Sequence, residues 1–275
     1  MRVDYHVHSP YCGHARGRMI EYVERAVALR LDEIGFADHL GRYYLSAPQR
    51  ARYADWGMAE GALERYVREI EDLRALFAGA IDIRIGLEID FVRGAEKHLA
   101  PLLARYPLDF ALGSVHCLPR FGWRHLTCYT TRPARELYRE YFAMARDAVC
   151  SGLFDSLAHV DFLWRYVPVG GVLAEEARRQ IRALAGLAKE RDTALEMNAN
   201  GFLWSELAGK RGPRLFERLV TEIAAHGAAV TLGSDAHTPQ AVGSALEQLA
   251  GYLARHGVHH CATFSRRLRT LVALG

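Results

Sequence analysis

The sequence predicts an α/β barrel, and three observations carry that reading. Short apolar segments alternate with longer amphipathic stretches along the whole chain, so helices separate the strands and the sheet they form is parallel. Seven such strand–helix units follow one another without an evident linker, and 275 residues is a length that α/β barrels routinely occupy as one unit. Six of the seven proposed strands carry a His, Asp or Glu at or near the C-terminal end, where barrels of this kind place their chemistry.

The first strand is RVDYHVH (2–8), in which Asp4, His6 and His8 alternate with Val3, Tyr5 and Val7 and so leave opposite faces. EIGFADH (33–39) is the second, IDIRIGLEIDFV (81–92) the third and LDFALGSVH (108–116) the fourth. FDSLAHVDF (154–162), TALEMNAN (193–200) and AAVTLGSDAH (228–237) complete the set. Amphipathic stretches near 18–30, 58–78, 95–105, 133–151, 174–190, 213–226 and 239–256 supply the helices, with apolar residues at helical spacing such as Tyr22, Ala26 and Leu29. The tail CATFSRRLRTLVAL predicts a last turn and helix. LGRYYLSAPQRARYADWG (40–57) is too irregular for core and predicts a long aromatic and basic loop, a kind of loop that is often functional. The whole span 1–275 is expected to be one domain.

Composition narrows the function. Half the residues are hydrophobic, enough for a large core, and a net charge of +3 with mixed signs shows no footprint for nucleic acid. No run of eighteen apolar residues predicts a membrane span, and Asp4, His6 and His8 interrupt any signal peptide. The five cysteines are odd in number and form no CxxC pair, which suits a reducing cytosol. The expectation is a soluble cytoplasmic protein with a small-molecule partner and no nucleic-acid or membrane partner, its homo-oligomeric state left open.

The strand ends carry His6-x-His8, Asp38-His39, Glu88, His116, His159-x-Asp161 and Asp235-x-His237, and the remaining strand ends in Asn198 and Asn200. Seven of the thirteen histidines (6, 8, 14, 39, 116, 159 and 237) fall at these ends or just beyond the first. His98, His125, His226, His256, His259 and His260 lie on helices, loops or the tail. Imidazoles with carboxylates suit zinc, iron or manganese, and the lack of a cysteine cluster argues against a structural zinc finger. Taken singly, each residue has a plainer reading. A strand histidine is usually a hydrogen-bonded core residue, Glu88 alternates with apolar neighbours as a surface charge would, and Asp235 could be a turn residue or N-cap. The joint pattern outweighs these separate readings.

DYHVHSPYCGHA, GFADH, GLEIDF, GSVH, AHVDF, LEMNANG and GSDAH resemble, in order and spacing, the motifs of the polymerase and histidinol phosphatase (PHP) superfamily. CGHA and ATFSRR are most similar to its histidinol-phosphate phosphatase branch. The resemblance implies a distorted seven-stranded β/α barrel (TIM-like) with three divalent metal ions, zinc, iron, manganese or a mixture. It assigns His6, His8, Glu88 and Asp235 to the first metal. Glu88 then bridges to a second held also by His116 and His159, and His14, His39 and His237 hold the third. Asp4, Asp38, Asp161 and Asn198 are expected to orient the imidazoles or complete hydrogen bonds around them. Ala158 stands where a glycine often precedes the fifth-strand histidine, a departure that touches no ligand. The implied reaction is hydrolysis of a phosphomonoester, L-histidinol phosphate, by in-line attack of a hydroxide shared by two metals. Glu88 is catalytic as the bridge, and Asp235 or His237 handles the leaving-group proton. Arg165, four residues after Asp161, is the first candidate to clamp phosphate, ahead of Arg42 and Arg124; a solvated surface arginine is the competing reading for each. Another small phosphate ester or a nucleotide is the alternative substrate, and a non-catalytic metal-stabilised barrel the alternative function.

Other phosphatase patterns are weaker. CGHARGR sets Arg18 six residues after Cys12, the spacing of thiol phosphatases, but Tyr11 stands where their histidine precedes the cysteine. RHG at 255–257 ends a helix, with Gly257 as its cap, and no DxD follows the first strand for an aspartate nucleophile. Cys12 is therefore the least expected participant of the first motif. The pocket for a substrate imidazole is expected near the 40–57 loop and Trp123.

Overall fold

The computed structural model describes residues 1–41, 43–52, 56–128, 134–167, 169–207 and 214–275. Seven strands form its centre: β1 (Val3–Val7), β2 (Glu33–Phe36), β3 (Asp82–Asp90), β4 (Phe110–Ser114), β5 (Ser156–Leu157), β6 (Ala194–Asn198) and β7 (Val230–Gly233). They pair in parallel and in chain order. A single bridge between Val7 and Ala236, with the His8 N–H donating to the Ala236 carbonyl at 2.8 Å, brings the last strand back to the first. The result is the nearly closed seven-stranded parallel barrel that the alternating pattern predicts.

Each strand is followed by a helix: α1 (Met19–Ala28), α2 (Leu63–Leu76), α3 (Glu96–Arg105), α4 (Ala134–Cys150), α5 (Gly171–Glu190), α6 (Leu215–His226) and α7 (Leu246–Arg255). The buried residues of α1 are Met19, Tyr22, Val23 and Ala26, the i, i+3, i+4, i+7 stripe that presses one helix face onto a sheet. Every residue of β1, β2, β4, β5, β6 and β7 is buried, as expected of strands covered by helices outside and side chains inside. No helix among the described residues is long and apolar enough to cross a membrane.

Three sequence expectations are corrected. The strict alternation read into the first strand fails at a register shift between Asp4 and Val7. Tyr5 turns into the barrel, where its ring meets Phe110 at 4.9 Å. Phe110 itself lies over Gly35 and Gly86, at which any Cβ would come within 2.8 and 2.2 Å of its ring. His6 also turns inward, to Glu88 and Glu196, because the extra residue of a bulge puts consecutive side chains on one side. Asp4 instead turns away, to the backbone of Ser234 and Gly243.

The C-terminal tail is a hairpin rather than a turn and helix: β8 (His260–Ser265) pairs antiparallel with β9 (Leu268–Ala273). Its two turn residues, Arg266 and Arg267, both have positive φ, 50° and 66°, the backbone a tight two-residue hairpin turn requires. Asp109 accepts both of their N–H groups, by its side chain at 3.0 Å and its carbonyl at 2.9 Å. The hairpin closes the N-terminal end of the barrel, with the Phe264 N–H on the Tyr5 hydroxyl at 2.8 Å. Third, the 40–57 stretch is not all loop. It holds a short helix, Ala47–Arg52, and begins on a two-residue strand, His39–Leu40, paired with β3.

Candidate metal centre

The seven barrel strands point their C-terminal ends at one rim, so side chains far apart in sequence meet there. β1 supplies His6 and leads into His8, and a turn at Pro10–Cys12 brings round His14. His39 follows β2, Glu88 lies within β3, His116 follows β4, His159 follows β5, and Asp235 and His237 follow β7. Glu88 is wholly buried and is the point on which the others converge. Its Oε2 lies 2.9 Å from His39 Nδ1, 3.1 Å from His6 Nε2 and 3.5 Å from His8 Nε2. Its Oε1 lies 2.8 Å from His159 Nε2 and 3.3 Å from His116 Nε2. Asp235 Oδ1 sits 3.3 Å from His8 Nε2 and 3.8 Å from His6 Nε2. His14 and His237 face each other, Nε2 to Nε2, at 3.0 Å. The donor atoms of His14, His39 and His237 lie within 4.8 Å of one another, as do those of His6, His8 and Asp235 and those of His6, Glu88 and His159.

These residues suit a group of divalent cations. His8 is buried with neither ring nitrogen in a hydrogen bond. His116 and His159 meet Nε2 to Nε2 at 3.2 Å, where two ring nitrogens converge and only one proton can be shared. Lone pairs directed at one another beside carboxylates are what an ion of the zinc, iron or manganese type binds. Charge points the same way. Burial alone would raise the Glu88 carboxyl, but His39, His6, His116 and His159 hold it well below its usual range. Burial, with His39 and His237 nearby, pushes His8 well down and keeps it neutral. Burial would also lower His6, yet Glu196, Glu88 and Asp235 hold it well above its usual value.

The residues that steer the imidazoles are not the ones expected from sequence. Glu196, on β6, takes His6 Nδ1 on Oε1 at 2.6 Å and the His159 N–H on Oε2 at 2.6 Å. Asp90 takes His116 Nδ1 at 3.0 Å. A carboxylate on Nδ1 fixes the ring so that Nε2 faces inward. Glu196 shares a strand face with Asn198, and Asp90 follows Glu88 by two, so alternation was the signal available for both. Of the four expected, Asp4 and Asp38 bind backbone instead. Asp38 Oδ1 accepts the N–H groups of Ser9 and Cys12, each at 2.9 Å, and Asp4 those of Ser234 and Gly243 at 2.9 and 3.0 Å. They hold the two loops that carry His14, Asp235 and His237. Asn198 caps the following helical turn through the Asn200 N–H and, as expected, completes a hydrogen bond behind the imidazoles, its Nδ2 donating to Glu196 Oε2 at 3.4 Å. Asp161 pairs with Arg165 at 3.0 Å.

The backbone is strained at the rim: His159 and Asp235 both have positive φ, 22° and 57°, a conformation non-glycine residues hold only when surroundings impose it, often at functional sites. Arg165 is largely buried beside Asp161, and its Nε and Nη2 have no hydrogen-bond partner. Arg42 lies outside the described residues, as does the side chain of Arg124. Cys12 lies closer to the centre than expected, its sulfur within 4.8 Å of donor atoms of His8 and His237. Burial and Asp38 push its thiol up to about 12, so it stands protonated, accepting the Ala15 N–H at 3.3 Å. Two further residues reach the site: Trp56, from the 40–57 stretch where sequence expected the substrate pocket, and His125, which sequence left outside the site. Trp56 stacks on His39 at 4.9 Å, and His125 on His116 at 5.6 Å. Trp56 comes from a loop and His125 from a two-residue strand, Arg124–His125, paired antiparallel with Cys117–Leu118; neither is long enough to show a period.

A β/α barrel that gathers imidazoles and carboxylates from all round its C-terminal rim onto one buried glutamate has the fold and donor set of the metal-binding barrel proteins. The chain belongs to the PHP domain family, whose profile matches residues 4–200. It is 35% identical over 244 residues to the "Probable histidinol-phosphatase" of Deinococcus radiodurans, covering 87% of this chain and 88% of that one. It is 26% identical over 273 residues to the "Histidinol-phosphatase" of Lactococcus lactis, covering 96% and 94%. The crystal structure of histidinol phosphate phosphatase from Lactococcus lactis, complexed with zinc, L-histidinol and phosphate, shares the fold. Its TM-score is 0.78 over 98% of both chains, at 24% identity.

Proposed function

We propose that the protein is a metal-dependent phosphomonoesterase that hydrolyses L-histidinol phosphate to L-histidinol and phosphate in histidine biosynthesis. The convergence of five imidazoles on the buried Glu88 carboxylate carries this reading. Relatives named for this activity, similar over most of the chain, and the zinc, histidinol and phosphate bound by the Lactococcus protein support it. The five free thiols suit the reducing cytoplasm, where we place it.

His6, His8, Glu88 and Asp235 would hold one cation, Glu88 with His116 and His159 a second, and His14, His39 and His237 a third. Bound there, divalent cations supply charge that neutralises phosphoryl oxygens and a water acidic enough to attack near neutral pH. The protein's own residues do the positioning. Glu88 joins two of the three donor groups through its two oxygens, and Glu196 and Asp90 fix the rings of His6 and His116. Arg165, its Nε in the ion pair with Asp161, would offer the Nη2 group, which has no hydrogen-bond partner, to a phosphoryl oxygen. Asp235 or His237, partly exposed at the mouth, would handle the leaving-group proton. Burial would raise the Asp235 carboxyl, but His6, His8 and His237 hold it well below its usual range, so it would first take a proton from the attacking water and then pass it to the leaving oxygen. Cys12, protonated, forms no phospho-enzyme.

The test is removal of metal with a chelator, metal analysis, add-back of zinc, manganese or iron, and phosphate release over a panel of esters that includes L-histidinol phosphate. Metal-restored hydrolysis with preference for histidinol phosphate is expected. Hydrolysis of no ester would defeat the enzymatic reading, and equal or faster turnover of unrelated esters would defeat the substrate.

A further inference from the structure

The N-terminal end of the barrel, opposite the histidine cluster, holds a buried polar network that the proposed reaction does not use. The Tyr5 hydroxyl donates to Glu33 Oε2 and accepts the Phe264 N–H at 2.8 Å, while the Phe264 carbonyl lies farther off at 3.4 Å. Arg84 holds the same carboxylate, Nη2 to Oε1 at 2.8 Å and Nε to Oε2 at 3.2 Å. A carboxylate paired in this way only accepts and a backbone N–H only donates, so the hydroxyl uses its proton on one side and a lone pair on the other. Tyr5 thereby ties together β1, β2 and the tail strand β8, and Tyr5, Glu33 and Phe264 are all at most 3% exposed.

Tyr5 is also the residue before His6. In a regular strand the two side chains would leave opposite faces. They share the interior because β1 carries one residue more than β2 between the pairs Asp4 with Ile34 and Val7 with Phe36. Gly35 stands opposite that extra length, and a Cβ on it would lie 3.2 Å from the Tyr5 Cα, so glycine leaves the room the bulge takes. The bulge costs His6 its anchorage. Neither Tyr5 nor His6 pairs with a residue of β2. The His6 N–H reaches Asp4 Oδ1 only at 3.4 Å, and its carbonyl receives the Ala236 N–H at 3.3 Å, both longer than a good N–H···O bond. An unpaired extra residue can migrate along its strand unless something pins it, and the neighbouring short bonds that face inward are those of the Tyr5 hydroxyl. We propose that Tyr5 is a positioning residue for the metal centre: its hydroxyl, clamped between Glu33 and the tail, fixes the place of the β1 bulge and through it the His6 ring. The tail hairpin is then one end of a tie whose other end is a metal-binding imidazole. The inference rests on the proposed metal centre and assigns a role to residues outside it.

The experiment first reads the His6 ring in the metal-free protein. Its Nδ1–H, bonded to Glu196 at 2.6 Å, should give a low-field proton resonance, assigned by its loss in His6→Phe. Tyr5→Phe keeps the ring against Phe110 and removes the hydroxyl. It should shift or broaden that resonance and weaken zinc binding at least about threefold, short of the loss on removing a carboxylate bonded directly to a ligand ring. Zinc competition against a chelator of known affinity measures this. Phe264→Leu loosens the same packing but keeps the N–H that the hydroxyl accepts, so it should leave the resonance in place and the zinc affinity less than threefold changed. Glu33→Ala removes the other half of the clamp; it should act as Tyr5→Phe does, and serves if that variant fails to fold. An unmoved resonance, a smaller loss of zinc affinity in the clamp variant, or an equal loss in Phe264→Leu would overturn the inference. A resonance that moves as expected in a protein whose wild type binds no zinc would uphold the tie and overturn only the metal reading.

Discussion

Replacing Glu196 by Gln should weaken metal binding without replacing any of the residues proposed as ligands. The carboxylate accepts two hydrogen bonds at 2.6 Å, from His6 Nδ1 and from the His159 N–H, whereas a glutamine offers one acceptor and one donor. The His159 N–H can only donate, so the glutamine oxygen must stay there and its NH₂ must face His6. Nδ1 then has to accept, and the ring proton moves to Nε2, the nitrogen that lies 3.1 Å from Glu88. A protonated Nε2 has no lone pair for a cation. A hydrogen bond to a charged group is worth roughly 1.5–3 kcal/mol, and 1.4 kcal/mol is about tenfold in affinity. The expected loss is therefore about 10- to 100-fold, the range seen for carboxylates behind metal-bound histidines. Glu196 is 1% exposed, so water cannot substitute. The assay is zinc competition against a chelator of known affinity, with melting of the metal-free protein to establish folding. A folded variant that binds zinc within twofold of the wild type would refute the reasoning.

Two further predictions follow from the same contacts. Glu88→Gln should cost more than the 10- to 100-fold typical of residues one layer out, because it neutralises the group that joins two sets of donors. Bound metal per chain and phosphate release measure it, and full metal with full activity would remove Glu88 from its assigned role. Gly233→Ala should destabilise the fold by roughly 1–3 kcal/mol: its Cβ would fall 2.2 Å from Glu196 Oε1 and 2.4 Å from the Cβ of His6. Denaturant unfolding would show a lower midpoint with lowered zinc affinity, and an unchanged midpoint would mean that His6 and Glu196 can yield.

The seven strands and their helices were legible because each is written in local spacing: the stripe of α1, or the short apolar segment AAVTLG that holds β7. The gathering of His, Asp and Glu at one rim was legible for a related reason. A parallel barrel puts the C-terminal ends of all its strands on the same side, so a residue's place along its strand already says which end it serves. The hairpin of the tail was not legible. Phe264 and Leu268 stand at helical spacing, and Arg266 and Arg267 give none of the Asn or Gly signal that a tight turn with two positive φ angles usually carries. Asp109, more than 150 residues earlier in the chain, holds that turn.

The sequence by itself determined the barrel and the set of residues facing its rim, since both depend on the period of side chains along one strand or helix. Only the tertiary structure decided how those residues are partnered. The bulge in β1 turns both Tyr5 and His6 inward, Glu196 rather than Asp4 or Asp161 holds an imidazole, and a loop and a two-residue strand pair deliver Trp56 and His125 to the cluster. These outcomes depend on register between strands, where a shift of one residue exchanges the faces of a strand. The neighbours that set that register lie across the sheet, not along the chain.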